Sequence, residues 1–404
     1  MLRLMCAFLS ISSASNAMSQ AFTPSPADQA IAEIAAQCVM CGLCLPHCPS
    51  YITTRNESES PRGRLALMAR IASGDATATS YPSLDSCLAC GRCEQVCPPK
   101  VAFLEGLALT RSNHAPATER LIGRMARRLT KRPGAFRHLF RMAVASRSLV
   151  PRRLRRRLNL DGAAAISGTT HPSRPSCHGA TVPATLLFAS CTSDLTEPRA
   201  VEALKRIAAT LGSNLTIEGK LCCGAIDRHL GYATTRPAVI GPEFEHLVAI
   251  NSGCTAQWQR LVAPRKVTAI AAWLNRLVAT HVDRFTPQPM RVALHLPCTQ
   301  QGLAGEAEAM RQLIDALPGA ERIELPSQPG CCGAAGTYFL NQPDISRTLG
   351  TTLAQQIRSL QPDVIVSANG GCRTQLAQAL FDLDAPLRVV HPAELIADYL
   401  TGQH

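Results

Sequence analysis

The chain has 404 residues, 46% of them apolar and 4% aromatic, with 18 cysteines and a formal net charge of +12. That length suits two or three domains with sizeable cores, and no run of about 18 apolar residues exists to make a membrane-spanning helix. The charge is local: residues 120–157 hold 14 Arg or Lys and no Asp or Glu, and taking those 14 from +12 leaves −2 for the rest.

Residues 1–26 read as an N-terminal extension, disordered or mis-assigned. Arg3 and a short apolar run at 4–11 have the outline of a weak signal peptide. A working start at Met18 is preferred, because the cysteine usage that follows points to a reducing, cytoplasmic compartment.

Residues 27–112 form the first expected domain. A helix over 27–37, with Asp28 as N-cap and Ile31, Ile34 and Ala35 on its buried face, delivers the chain to Cys38. Cys38, Cys41, Cys44 and Cys48 follow as C-x-x-C-x-x-C-x-x-x-C, closed by Pro49. Cys87, Cys90, Cys93 and Cys97 repeat the run, closed by Pro98. Three thiolates spaced this way sit on one tight loop and cap three irons of a 4Fe-4S cube, and the fourth Cys of each run serves the other cube. One cube then takes Cys38, Cys41, Cys44 and Cys97, and the other takes Cys87, Cys90, Cys93 and Cys48. Zinc is the alternative, but it usually takes two C-x-x-C pairs. A disulfide framework suits small secreted domains rather than this length. Between the runs, Ser60 as N-cap and Pro61 at the first helical position start a helix ending at Gly74. It places Arg62 and Arg64 either beside the anionic cubes or on nearby carboxylates.

Residues 113–160 read as a basic helical segment. Leu121, Ile122, Met125 and Leu129, then Phe136, Leu139, Phe140 and Val144, recur at helical spacing among arginines. A basic amphipathic surface of this kind suits peripheral contact with an anionic membrane through 120–157, an acidic partner, or plain solvent. No nucleic-acid-binding module is present, so nucleic acid is not expected. Residues 161–183, rich in Gly, Ser, Thr and Pro, read as a linker.

The rest repeats one plan, in a first Cys-Cys-Gly domain at 184–284 and a second at 285–404. An apolar strand ending at Cys191 matches one ending at Cys298. Helical patterns at 201–211 and 307–317 follow. Cys222-Cys223-Gly224 matches Cys331-Cys332-Gly333, strands at 246–251 and 364–369 lead to Cys254 and Cys372, and helices at 272–279 and 392–400 close each copy. Alternating strand and helix implies parallel βαβ units, with ligands at the carboxyl ends of the strands. The expected architecture is thus a helical two-cluster ferredoxin-like domain followed by a duplicated α/β domain. Cys191, Cys222, Cys223 and Cys254 converge as one metal set, and Cys298, Cys331, Cys332 and Cys372 as another. A vicinal disulfide at either Cys-Cys pair is the alternative.

Paired ferredoxin runs, the Ser60-Pro61-Arg62-Gly63-Arg64 segment and two Cys-Cys-Gly repeats resemble the iron–sulfur subunit of glycolate oxidase over about residues 27–400. The same parts occur in iron–sulfur subunits of lactate and glycerol-3-phosphate dehydrogenases and in heterodisulfide reductases. In the fullest form of the motif a further Cys stands three residues after the last one. Here those positions are Gln257 and Gln375, leaving four thiolates per half for an ordinary 4Fe-4S cluster or for zinc. The resemblance implies an electron-transfer subunit with two 4Fe-4S clusters and no catalytic residues of its own, working with a flavin-containing dehydrogenase subunit in the cytoplasm or on the inner face of the membrane. No dinucleotide-binding fingerprint is present, since 330–336 reads G-C-C-G-A-A-G. A heterodisulfide-reductase-like enzyme and a zinc-holding interaction protein are the other classes.

Overall fold

The computed structural model describes residues 23–75, 81–115, 133–167, 185–190, 193–218, 222–232, 246–262, 267–326 and 330–401. The extension at 1–22, most of the linker and part of the basic segment, 116–132, lie outside them. Helix α1 (Pro26–Ala36) is capped by Ser25, three residues before the expected cap. Ser25 accepts from the Asp28 backbone and Asp28 accepts from the Ser25 backbone, a reciprocal capping box. Asp28 is therefore the third helical residue, not the cap, and its other oxygen meets His114 Nε2 at 2.6 Å. Helix α2 (Pro61–Ala72) starts as expected, with Ser60 Oγ accepting from Gly63 N at 2.9 Å. Helix α3 (Phe103–His114) packs against both. Ile31, Met68, Leu84 and Leu107 fill the space between them, each at most 1% exposed, so trimming one to Ala costs about 2–5 kcal/mol.

The basic segment gives helix α4 (Pro133–Ala145) and a short helix Arg152–Arg157. The expected linker does not begin at 161. Helix α5 (Leu160–Ser167) is buried against a helix of the second half, α11 (Gly370–Asp382). Gly162 makes this close approach feasible, since a Cβ there would stand 2.3 Å from the Thr374 carbonyl. Arg155 pairs with the buried Asp161 and Arg156 with Asp382, so the end of the basic stretch holds protein rather than facing solvent.

Two four-stranded parallel sheets follow, both with the first strand next to the centre. The first holds β1 (Thr185–Phe188), β2 (Leu215–Glu218), β3 (His246–Ala249) and β4 (Val267–Ala269) in the order β2-β1-β3-β4. The second holds β5 (Met290–Leu294), β6 (Ala320–Glu324), β7 (Val364–Val366) and β8 (Arg388–Val390) in the order β6-β5-β7-β8. β1 and β7 are buried along their whole length, as strands of a sheet covered on both faces are. The longer helices of the first half are α6 (Pro198–Thr210), α7 (Ser252–Leu261) and α8 (Ile270–Thr280). Those of the second are α9 (Glu306–Asp315), α10 (Pro343–Ser359), α11 and α12 (Pro392–Tyr399). α6 packs on α12 and α8 on α9, and one apolar cluster joins Leu187 and Val248 to Val292 and Val366. The expected boundary at 284/285 therefore runs across a single shared core.

Candidate functional site

The loop after α1 turns through positive φ at Met40 (56°) and Gly42 (82°), which folds the first cysteine run around a recess. Cys38, Cys41 and Cys44 line it, and Cys93 and Cys97 reach it from the second run. Cys48 points the other way. Arg64 Nη1 donates to its Sγ at 3.8 Å, and Cys48 acts electrostatically on Cys93 together with Cys87 and Cys90. Each run thus has a thiol of the other beside it.

Arg62 and Arg64 do both things the sequence allowed. Arg62 pairs with Glu57 at 2.6 Å and donates to the Met40 carbonyl at 3.1 Å, bracing the first loop. Arg64 is 1% exposed. It donates to Glu59 at 2.6 Å, to Ser50 Oγ at 2.9 Å and to the Ser83 carbonyl at 2.7 Å, with Cys87 and Cys48 close enough to stabilise its charge.

In the second half, Cys298 follows the carboxyl end of β5 and opens the short helix Cys298–Gln301. Cys372 sits on the first turn of α11 after β7, its N–H donating to the cap side chain of Asn369 at 3.2 Å. Gly333 has φ +78°, and a Cβ there would lie 2.4 Å from the Ser346 carbonyl, so the Cys331-Cys332-Gly333 loop can press inward only with glycine at that place. Cys332 and Cys372 stand 2.7 Å apart. The first half mirrors this with Cys223 3.2 Å from Cys254 and Gly224 at φ +79°. Its fourth expected member, Cys191, is outside the described residues. Cys222 is not bonded to Cys223, nor Cys331 to Cys332, so neither vicinal disulfide forms. Gln375, at the place of the further thiolate, faces elsewhere: it donates to Ser346 and accepts from Asn159 at 2.6 Å, tying the basic segment to α10.

Burial pushes the Cys44 thiol up, takes Cys90 and Cys298 up to about 12, and raises Cys93 and Cys331, with neighbouring thiolates adding to the effect at each. Such groups resist ionising side by side unless a cation takes up their charge. That is the donor chemistry of an iron–sulfur site. Among the described residues no three His, Cys, Asp or Glu side chains converge on one ion position. A cube does not ask for that, because each of its irons takes a separate thiolate.

Sequence reasoning missed the contact between the second run and the second half. Arg92, inside the run and 8% exposed, donates to the Gly330 carbonyl at 2.8 Å. Tyr338 Oη donates to the Ser86 carbonyl at 3.0 Å. Leu88 and Tyr338 cover Cys331, and Cys90 packs against the same cluster. Arg92 was visible as a cation between two ligands of one run, but its partner lies 238 residues away.

The sequence matches the family described as "4Fe-4S dicluster domain" at 34–101 and the one described as "Cysteine-rich domain" at 185–259 and again at 292–377. It is 30% identical over 376 residues to "Glycolate oxidase iron-sulfur subunit" of Escherichia coli (strain K12), covering 85% of this chain and 89% of that one. It is 26% identical over 415 residues to "Probable glycolate oxidase iron-sulfur subunit" of Bacillus subtilis (strain 168), covering 89% and 93%. "Lactate utilization protein A" of Geobacillus thermodenitrificans (strain NG80-2) is 24% identical over 234 residues, covering 52% of this chain and 97% of that one.

Proposed function

The chain belongs to the glycolate oxidase iron–sulfur subunit family, and from that membership we propose that it carries electrons singly from a flavin-bearing partner subunit, which oxidises glycolate to glyoxylate, to a downstream acceptor. Glycolate gives up two electrons and two protons. A hydride takes both electrons and one proton to the partner's flavin, and the other proton leaves to a base in that partner. Cubes bound to the two runs supply one-electron steps, which divide the pair.

The exchange of thiols between the runs carries this reading. Cys38, Cys41, Cys44 and Cys97 would hold one cube, and Cys87, Cys90, Cys93 and Cys48 the other, with Arg62 and Arg64 offsetting their charge. Cys41 is the exposed thiol among these eight. Val39, Met40 and Leu43 around it are 50–69% exposed, which suits entry of electrons from the partner at the first run. The second run faces Cys298, Cys331, Cys332 and Cys372, whose four thiolates would hold a further centre. The shared strand order of the two sheets supports reading the second half as an internal duplication, with Cys191, Cys222, Cys223 and Cys254 as the matching set.

A cytoplasmic place with peripheral membrane contact goes with the basic segment. Leu139, Met142 and Leu149 are 56–85% exposed beside the exposed Arg141, Arg147, Arg152 and Arg153, a pairing that suits anionic lipid. Among the described residues no helix is long and apolar enough to cross a membrane. Vesicle sedimentation tests the contact: Leu139→Glu should weaken binding to anionic vesicles, and equal binding refutes it.

A lactate-oxidising complex is the competing assignment, because lactate utilization protein A shares about half of this chain. Reconstitution with the flavin partner separates them. Dye reduction should depend on glycolate, and a response to lactate without one to glycolate overturns the reading.

A further inference from the structure

We infer that Arg92 raises the reduction potential of the cluster on the second cysteine run and, together with it, that of the cysteine site of the second half. The inference rests on the iron–sulfur reading of both sites.

Arg92 lies between Cys90 and Cys93 in the chain. Its Nη2 reaches across to the carbonyl of Gly330, the residue before Cys331, at 2.8 Å. The contact is part-buried, with Arg92 itself 8% exposed. Its positive charge acts on thiols of both sites: Cys90 on one side, and Cys298, Cys331 and Cys332 on the other.

A guanidinium stays charged at any working pH. Each centre becomes more negative when it takes an electron, so a nearby buried cation favours the reduced form and raises the potential. A fixed cation between two such centres stabilises an added electron on either, so both potentials rise together. Arg92 differs in this from Arg64, which acts on Cys48 and Cys87 within the ferredoxin-type unit and bonds to Glu59.

The test is an EPR-monitored redox titration of the anaerobically purified full chain, with iron content measured alongside. In Arg92→Gln, the signals of the second run and of the second-half site should shift to lower potential, and the signal of the first run should stay in place. Arg92→Lys, which keeps the charge, should return both toward wild type. Tyr338→Phe, which breaks an uncharged contact at the same junction, should leave them unmoved. Full iron with unshifted potentials in Arg92→Gln overturns the inference, and so does an equal shift in the Gln and Lys variants, which would assign the effect to packing. If Arg92→Gln loses iron, Arg92→Lys decides: restored iron and potentials support the inference, and lost iron refutes it. Absence of cluster signals in the wild-type chain would instead defeat the iron–sulfur reading itself.

Discussion

The two cysteine-rich halves share a strand order and matching cysteine positions, yet they meet the N-terminal dicluster domain on different terms. The first half is held by Arg111, which donates to the His229 carbonyl at 2.8 Å, and by the exposed pair Arg228–Glu105. The second half presses its Cys-Cys-Gly loop onto the second cysteine run, with Arg92 and Tyr338 bridging the junction. A repeated topology fixes where thiols stand within each half. The docking face decides which of the two sites adjoins the second run.

The sharpest way to break this comparison is Cys90→Ser, at the contact itself. Glycolate-dependent dye reduction should be lost while glycolate still reduces the partner's flavin. Unchanged dye reduction would remove the second run from the path.

A difference in how the halves bury charge comes next. Glu197, just before α6, meets Arg373, which also holds Glu394, and both Arg373 and Glu197 are fully buried. Removing one member of such a group leaves charge uncompensated and costs about 3–5 kcal/mol. Arg373→Ala should lower the free energy of unfolding by that amount, read from denaturant titration. Arg388→Ala, which breaks the exposed pair with Asp398, should cost about 0–1 kcal/mol. Equal effects would contradict the buried network.

The corresponding carboxylate at the start of α9, Glu306, accepts from Ala271 N–H and Gln300 instead. Burial lifts it from its ordinary 4.5 to about 7. The folded chain therefore holds this proton more tightly than the unfolded one, and stability falls as pH rises through that interval, by up to about 3 kcal/mol. Glu306→Gln should flatten this stretch of the pH–stability curve and be the more stable protein at pH 8. A parallel curve would show that the carboxylate is not the cause.

Gly333→Ala tests the Cys-Cys-Gly loop itself. Its positive φ costs about 1–2 kcal/mol with a side chain, and the new Cβ meets the Ser346 carbonyl, displacing Cys332. Iron bound by the second half should fall while the Cys38 recess keeps its own. Full iron would show that the loop has room to spare.

Much of this was legible in the sequence, for physical reasons that differ by region. Cysteine spacing is short-range, so the candidate thiols could be named without a fold. Fully buried strands such as 364–366 read as apolar runs. The edge strands β2 and β6 did not, because Thr216, Glu321 and Glu324 stand at exposed positions there and Glu218 at a half-buried one. The stretch Asp161-Gly162-Ala163-Ala164-Ala165 read as a linker by composition, although small residues also permit the tight packing of α5 on α11. Ser25 was passed over for Asp28, where the spacing Ser-Pro-Ala-Asp of a capping box was the available signal. The junction through Arg92 was invisible because its two ends are far apart in the chain.

The most direct test of the central claim is iron and acid-labile sulfide content with low-temperature EPR on the anaerobically purified chain. Two cubes require about eight irons per chain, and centres in the cysteine-rich halves raise the count toward about twelve or sixteen. A brown protein with at least the lower count and two interacting cluster signals is the predicted result. A colourless, iron-free protein from an oxygen-free preparation would contradict the account.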